Sequence, residues 1–215
     1  MKQMTARLVA LMMSATLLGA CMSTTAMGAG DSWKEEVLLH DGQKMMVERS
    51  QTYGGRREIG QSPPVKEHKI SFKLPGTANS ITWTSEYSEE LGRTNLKAVA
   101  LHVLNKKPYI VSVPNLCLSY NKWGRPNPPY VVFRHDGKDW NRIALNELPV
   151  EFKDMNLVIN NQGEADILTA QSPVPAKRVK ELNGELSQPE YKTILRGALP
   201  PGKCPQYSSG PKAPN

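Results

Sequence analysis

The chain has 215 residues, of which 39% are hydrophobic and 22% charged, a balance typical of globular proteins rather than of disordered or fibrous ones. This length predicts one main domain with peripheral segments. The formal net charge is +7, yet the basic residues are scattered, so nucleic acid is not an expected partner. The positive surplus instead favours acidic proteins, acidic glycans or anionic lipid headgroups.

Residues 1–20 have the three zones of an export signal. Lys2 and Arg7 give a positive start, and a largely apolar run over residues 8–18 follows them. The sequence Leu-Gly-Ala-Cys that ends at Cys21 resembles the lipobox of bacterial lipoproteins. The resemblance implies that residues 1–20 are a signal peptide removed by cleavage before Cys21. It also implies that the thiol of Cys21 carries a diacylglycerol, which would tie the protein to a membrane.

The residue after the cysteine bears on which membrane holds the anchor. Met22 stands where enteric-type lipoproteins retained at the inner membrane have aspartate, so the resemblance implies a periplasm-facing, outer-membrane location in a two-membrane cell. The alternatives are a short membrane helix and an ordinary secretory signal cut after Gly28 or Ala29. No other run approaches the eighteen or so apolar residues that a membrane span needs.

Residues 21–32 connect the lipobox to the rest of the chain. After the cysteine they are small, polar and uncharged apart from Asp31, which predicts a flexible tether. Such a segment has a root-mean-square span of roughly 20 Å, so the folded part is expected to stay close to the membrane.

Residues 33–160 have the texture of short strands joined by turns. Apolar stretches flank His-Asp-Gly-Gln at 40–43 and His-Asp-Gly-Lys at 135–138, and Asp-Gly is among the strongest hairpin signals. Alternating residues predict further strands at 69–74, 80–84 and 109–113.

Two segments within this region differ in character. Residues 98–104 are almost continuously apolar, which predicts a central strand, and residues 157–159 predict a final short one. Residues 48–68 predict a long polar loop. The fold class expected is mainly β, with antiparallel hairpins forming a sandwich or a partly open barrel; an α+β arrangement is the alternative.

Residues 161–215 form a proline-rich tail with helical signals. Residues 187–190 have a capping-box pattern, and Tyr191, Ile194 and Leu195 follow it at helical spacing. Residues 174–186 are a second helical candidate. We therefore expect one or two short C-terminal helices in a tail packed on the β-rich domain.

The three cysteines divide unevenly between two roles. Once Cys21 is assigned to lipid, Cys117 and Cys204 remain as an even pair in an oxidising compartment, which predicts a disulfide. The alternative is a nucleophilic Cys117 with His102 or His135 as its base, but no recognisable signature surrounds that cysteine.

Two further patterns resemble a metal site and a catalytic site, but the sequence favours neither. The repeated His-Asp-Gly at 40–42 and 135–137 would be a reasonable metal-ligand set, but turn geometry already explains it. Ser119 and Lys122 match the S-x-x-K pattern of penicillin-recognising enzymes, which needs both residues one helical turn apart. We predict no helix there, no metal, no cofactor and no catalytic residues.

Aromatic residues and arginine are concentrated between residues 120 and 140. Tyr, Trp and Arg are the types that anchor protein interfaces, and aromatic rings also stack on sugars. Tyr130 and Trp140 are expected in strands facing the core. Trp123 and Arg125, in a predicted loop, are expected to be exposed and, with Tyr120, to bind a partner.

These observations favour a non-enzymatic, macromolecule-binding lipoprotein anchored to the membrane through Cys21. A protein partner is expected, in a toxin-immunity role or in an envelope-assembly or cell-wall-contact role. The alternative class is a protein that binds cell-envelope glycans, or an enzyme that processes them.

Overall fold

A computed structural model describes residues 30–159 and 173–200, together with residues 202, 204 and 205. The predicted signal peptide, Cys21 and most of the predicted tether therefore lie outside the described residues. The strands are Asp31–Leu38 (β1), Lys44–Tyr53 (β2), Val65–Lys73 (β3), Ser80–Thr84 (β4), Tyr87–Ser88 (β5), Arg93–Thr94 (β6), Leu96–Leu104 (β7), Lys107–Pro114 (β8), Val131–His135 (β9) and Trp140–Ile143 (β10). The helices are Leu116–Lys122 (α1) and Ala176–Gly184 (α2), with 3-10 turns at Leu145–Glu147 and Pro189–Tyr191.

The larger strands form two antiparallel sheets that stack as a sandwich. The first sheet has the order β1-β2-β3-β4 and the second the order β10-β9-β8-β7, while β5 and β6 pair separately. Val47 and Ile70 from the first sheet share one buried cluster with Leu101 and Ile110 from the second. Burial of these facing side chains is the main stabilising contribution to such a fold. The prediction of a mainly β fold made from antiparallel hairpins is confirmed.

Both Asp-Gly turns join neighbouring strands, as their sequence predicts. Gly42 lies between β1 and β2 with φ of +84°, and Gly137 lies between β9 and β10 with φ of +109°. Glycine tolerates these left-handed conformations because it has no Cβ. The Asp41 carboxylate accepts the Gln43 amide at 3.0 Å and so fixes the first turn.

The second sheet is covered on its outer face as well. A second cluster joins Val99 and Val111, which point away from the sandwich interior, to Phe152 and Ile194 from the later chain. This double burial explains why β7 is almost continuously apolar. The prediction that this strand is central is nevertheless wrong, because β7 lies at the edge of its sheet.

The edge of β7 is closed by an asparagine side chain instead of another strand. Asn156 Oδ1 accepts the Leu101 amide at 2.8 Å, and Asn156 Nδ2 donates to the Leu101 carbonyl at 2.7 Å and to the Leu38 carbonyl of β1 at 2.9 Å. The predicted strand at 157–159 is not formed. Its one main-chain bond to β7 runs from Leu157 N to Val99 O, at 3.3 Å.

The C-terminal segment has one of the two predicted helices. The prediction for 174–186 is confirmed by α2, whose Val179 and Leu182 pack against Trp33 and Val158. The predicted helix after residue 187 is wrong, because only the turn Pro189–Tyr191 forms. The chain leaves the helical path where buried Ile194 donates its amide to the Lys153 carbonyl at 2.7 Å.

The predicted loop at 48–68 is largely strand. β2 continues to Tyr53 and β3 begins at Val65, so the connection spans only residues 54–64. The polar residues of this segment predict a loop, but three of them point into the sandwich and are buried: Arg49, Gln51 and His68. Pairing of Gln51 with His68 across the two strands continues the regular register.

Candidate functional site

An apolar groove surrounded by lysines lies where β1 and β2 meet α2. We call it the lysine groove; its cavity measures about 520 Å³. Leu38, Met155 and Val179 supply apolar lining, and Leu38 is 43% exposed. The surrounding lysines are Lys44, Lys177, Lys180 and Lys192. Cavities of this size with a mainly apolar lining commonly hold ligands.

Glu36 fixes α2 beside the β1–β2 hairpin. Its Oε2 accepts the Lys44 ammonium at 2.9 Å and the backbone amide of Ala176, at the start of α2, at 3.2 Å. These two donors, Lys44 first, hold the pKa of the Glu36 carboxyl below its usual range. The same carboxylate therefore orients one lysine of the groove and caps the helix that supplies two others.

The wall opposite the hairpin is held by two buried amides. Asn183 of α2 accepts the Ile159 amide through Oδ1 at 3.0 Å and donates through Nδ2 to the Leu157 carbonyl at 2.8 Å. Asn156 ties the same segment to β1 and β7. Because both side chains are buried and hydrogen-bonded, the groove is built on rigid supports.

The groove has a positive surplus. Four lysines face a single lining carboxylate, that of Asp154. Lys44 forms an ion pair with Glu36. Lys177 lies 3.9 Å from the Glu181 carboxylate, and both of these side chains are exposed. Within the part of the chain that the structure describes, Lys180 and Lys192 have no ion-pair partner. The arrangement can attract anions at its edge and bury apolar groups at its centre.

Comparison with protein-family models, with curated proteins and with solved structures finds no match for this chain. Among the described residues, no helix combines the length and apolar character that crossing a bilayer requires.

Trp123 is not exposed, so that expectation is wrong. The side chain is 4% exposed and belongs to the cluster between the two sheets. Its ring meets Phe133 edge-on at 6.1 Å, and the Arg142 guanidinium lies 5.3 Å from the ring centroid. Trp123 follows directly after α1, and its amide bonds to the Ser119 carbonyl, which turns the side chain inward.

Arg125 holds the C-terminal segment rather than standing free. Its guanidinium donates to the carbonyls of Cys204 at 3.0 Å and Pro205 at 3.2 Å, and to Asn121 Oδ1 at 2.8 Å. It also lies 5.1 Å from the ring centroid of Tyr120, which is half-buried. Tyr120 and Arg125 are therefore close together, and Arg125 is engaged in contacts within the chain.

Cys117 and Cys204 are joined in a disulfide with 5.2 Å between their Cα atoms. In this state Cys117 has no free thiol to act as a nucleophile. His102, one of the bases considered for it, is buried with Nε2 at 2.9 Å from the Asp154 carbonyl and stacks on Phe152 at 4.6 Å. Burial lowers the pKa of His102 to about 4.

Ser119 and Lys122 do lie on a helix, so the prediction that no helix forms there is wrong. The Ser119 hydroxyl is fully buried and donates to the Asn95 carbonyl. The Lys122 ammonium is engaged in an ion pair with Glu86 at 2.7 Å. Neither side chain can therefore reach a substrate in this arrangement, although the spacing matches the S-x-x-K pattern.

The two His-Asp-Gly turns lie in different hairpins. His40 packs edge-on against Phe152 at 5.0 Å, while His135 meets Trp140 at 5.1 Å. In the ranges that the structure describes, no three His, Cys, Asp or Glu side chains are grouped as metal ligands would be.

Proposed function

We propose that the protein is an envelope lipoprotein, anchored through Cys21, that binds an acidic segment of a partner protein in the lysine groove without chemical turnover. One observation carries the binding half of this proposal: the groove combines an exposed aliphatic side chain, Leu38, with lysines from three separate elements. The anchor rests on the lipobox resemblance.

The distribution of the lysines favours a peptide segment over a single anionic group. Lys44 begins β2, Lys177 and Lys180 lie on α2, and Lys192 follows the turn Pro189–Tyr191. Cations that surround an apolar floor match a segment in which acidic and apolar side chains alternate. A lone phosphate or carboxylate headgroup would be better held by charges converging on one point.

The groove lies at the C-terminal end of β1. The strand begins at Asp31 and ends at Leu38 in the groove, so the tether predicted for residues 21–32 is wrong for its last two residues, Asp31 and Ser32. Eight residues of strand cover about 25 Å. The groove is therefore about 25 Å along β1 from the first residue of that strand.

A binding role also agrees with how the reactive side chains are used. Ser119, Lys122 and Cys117 all make structural contacts. The proposed location in the cell envelope favours two forms of this role, toxin immunity and envelope assembly. Each of them needs a binding face and no chemical reaction.

Titration with a defined peptide tests the binding proposal. The probe is a fluorescent peptide that alternates glutamate with leucine, and its control replaces every glutamate with glutamine. We expect only the acidic peptide to bind, with an affinity that falls as salt is raised. Lys177→Glu/Lys180→Glu should weaken binding at least about tenfold, about 1.4 kcal/mol.

The control variant is Arg56→Glu/Arg57→Glu, which makes the same charge change in the exposed loop beyond the far end of β2. It should leave peptide affinity within about twofold of the unaltered protein. Equal weakening by both double variants would show that net charge alone attracts the peptide, and equal binding of the glutamine peptide would contradict the role of the lysines.

Metabolic labelling with a fatty acid tests the anchor separately. The unaltered chain should incorporate label and remain in the membrane fraction, whereas Cys21→Ser should do neither. Label that persists in the serine variant would contradict lipidation at Cys21 and leave the groove proposal unaffected.

A further inference from the structure

A second cavity lies at the side of the sandwich, away from the lysine groove. It measures about 740 Å³, within the range of ligand sites, and opens between the β3–β4 connection and the β9–β10 hairpin. Its lining is mostly polar and includes the indole ring of Trp140. The residues that carry the argument are Asn79, Lys106, His135, Lys138, Asp139 and Trp140.

Trp140 is held in one orientation at the wall of this cavity. Its indole Nε1 donates to the Thr82 carbonyl of β4 at 2.8 Å, which also closes the gap between the two sheet edges. His135 meets the ring edge-on at 5.1 Å. A half-buried, fixed indole supplies a flat apolar surface of the kind on which a sugar ring stacks.

Polar groups beside the ring have hydrogen-bonding capacity to spare. His135 Nδ1 accepts the Gly137 amide at 3.2 Å, so the ring proton is placed on Nε2, which remains a donor. The side-chain amide of Asn79 is exposed and has no hydrogen-bond partner among the described residues. Sugar hydroxyl groups both donate and accept hydrogen bonds. The Asn79 amide can donate to them and accept from them, and the His135 Nε2–H can donate to them.

The charges of the cavity favour an acidic sugar over a neutral one. Lys106 and Lys138 contribute two cations, against the one carboxylate of Asp139, which lies 3.9 Å from Lys138. Lys106 has no ion-pair partner in the described part of the chain. One cation is thus left to meet a ligand carboxylate.

We propose that this cavity binds an oligosaccharide that carries a carboxylate, with the sugar ring against Trp140 and the carboxylate at Lys106. The site is independent of the lysine groove, and either can exist without the other.

Calorimetric titration of the full chain in detergent tests the proposal, with trigalacturonic acid as the acidic probe and galactotriose as its neutral counterpart. We expect binding of the acidic trisaccharide and at least fivefold weaker binding of the neutral one. A parallel NMR titration with the acidic trisaccharide should shift the Trp140 indole resonance. Lys106→Asn removes the charge and keeps a residue that tolerates the left-handed backbone, where φ is +60°. It should reduce the preference for the acidic probe to less than twofold.

Lys107→Asn is the matched control, because Lys107 is the neighbouring exposed lysine and does not line the cavity. It should leave both affinities unchanged. Equal binding of the two trisaccharides, no binding of either at millimolar concentration, or equal effects of the two lysine variants would each overturn the proposal.

Discussion

Arg49 and Glu35 form an ion pair inside the sandwich, with 3.3 Å between Nη1 and Oε1 and side-chain exposures of 1% and 0%. Arg49 Nη1 also donates to the Val158 carbonyl at 2.8 Å, and Glu35 Oε2 accepts the Trp33 indole N–H at 2.9 Å. The pair therefore joins the first sheet to the segment that forms a wall of the lysine groove.

Removing one member of this pair should be strongly destabilising. Arg49→Met leaves the Glu35 carboxylate buried without a counter-charge, and such losses cost about 3–5 kcal/mol. Glu35→Leu combined with Arg49→Met should cost less than the sum of the two single changes. Urea unfolding of the three variants measures this; strictly additive costs, or a single-variant cost below about 1 kcal/mol, would contradict the interpretation.

Asn156 should matter more to stability than an exposed asparagine. Asn156→Ala removes two buried hydrogen bonds and one part-buried hydrogen bond, and it leaves the Leu101 amide and carbonyl without their partner, so we expect a loss of about 2–4 kcal/mol. The Leu101 amide should also exchange faster with solvent. Asn141→Ala, in the exposed β9–β10 hairpin, is the control and should cost under about 0.5 kcal/mol. Similar costs for both variants would contradict the assigned role.

Stability should fall at acidic pH because of two buried histidines. Burial, reinforced by the positive charges of Arg49 and Lys97, lowers the pKa of His68 to about 3, and burial lowers that of His102 to about 4. Between these values and the ordinary pKa near 6.5, the unfolded chain binds protons that the folded chain does not. The stabilising effect is therefore complete above pH 6.5 and is lost as pH falls below it.

Unfolding free energies at pH 7.5, 5.5 and 4.5 measure this dependence. His68→Gln should flatten the decrease between pH 6.5 and 4.5, since glutamine cannot take up a proton. An unchanged pH dependence in that variant would show that other groups control acid sensitivity.

The disulfide should hold the C-terminal segment to α1. Cys117 and Cys204 are 87 positions apart, and in the chain-entropy model a loop of this length contributes at most about 4–5 kcal/mol. Cys117→Ser/Cys204→Ser should lower unfolding free energy by up to this amount, and reductant should have no further effect on that variant. Alkylation of both cysteines in the unreduced, denatured protein would contradict the bond.

The sequence indicates the fold class well, because the fold class depends on local signals. Asp-Gly turns specify hairpins through backbone geometry, and apolar alternation specifies which face is buried. The sequence predicts a loop around Arg49 because the contacts that compensate this buried charge, such as the carbonyl of Val158, are distant in sequence. The sequence predicts an exposed Trp123 for the same reason, since its packing on Phe133 forms only when the two sheets come together.

The lysine groove could not be predicted from the sequence. Lys44 and Lys192 come from opposite ends of the described chain, and Leu38 looks like any strand residue. Only the docking of α2 through Glu36 and Asn183 brings these groups together, and neither contact has a sequence signature.

Chemical-shift mapping of the acidic–apolar peptide on the isotopically labelled protein tests the central claim most directly. Binding in the lysine groove predicts that the methyl resonances of Leu38, Met155 and Val179 shift together in a saturable manner. In Lys177→Glu/Lys180→Glu the same shifts should need at least about tenfold more peptide. Shifts confined to residues around Tyr120 or around Trp140, or no shifts at saturating peptide, would contradict it.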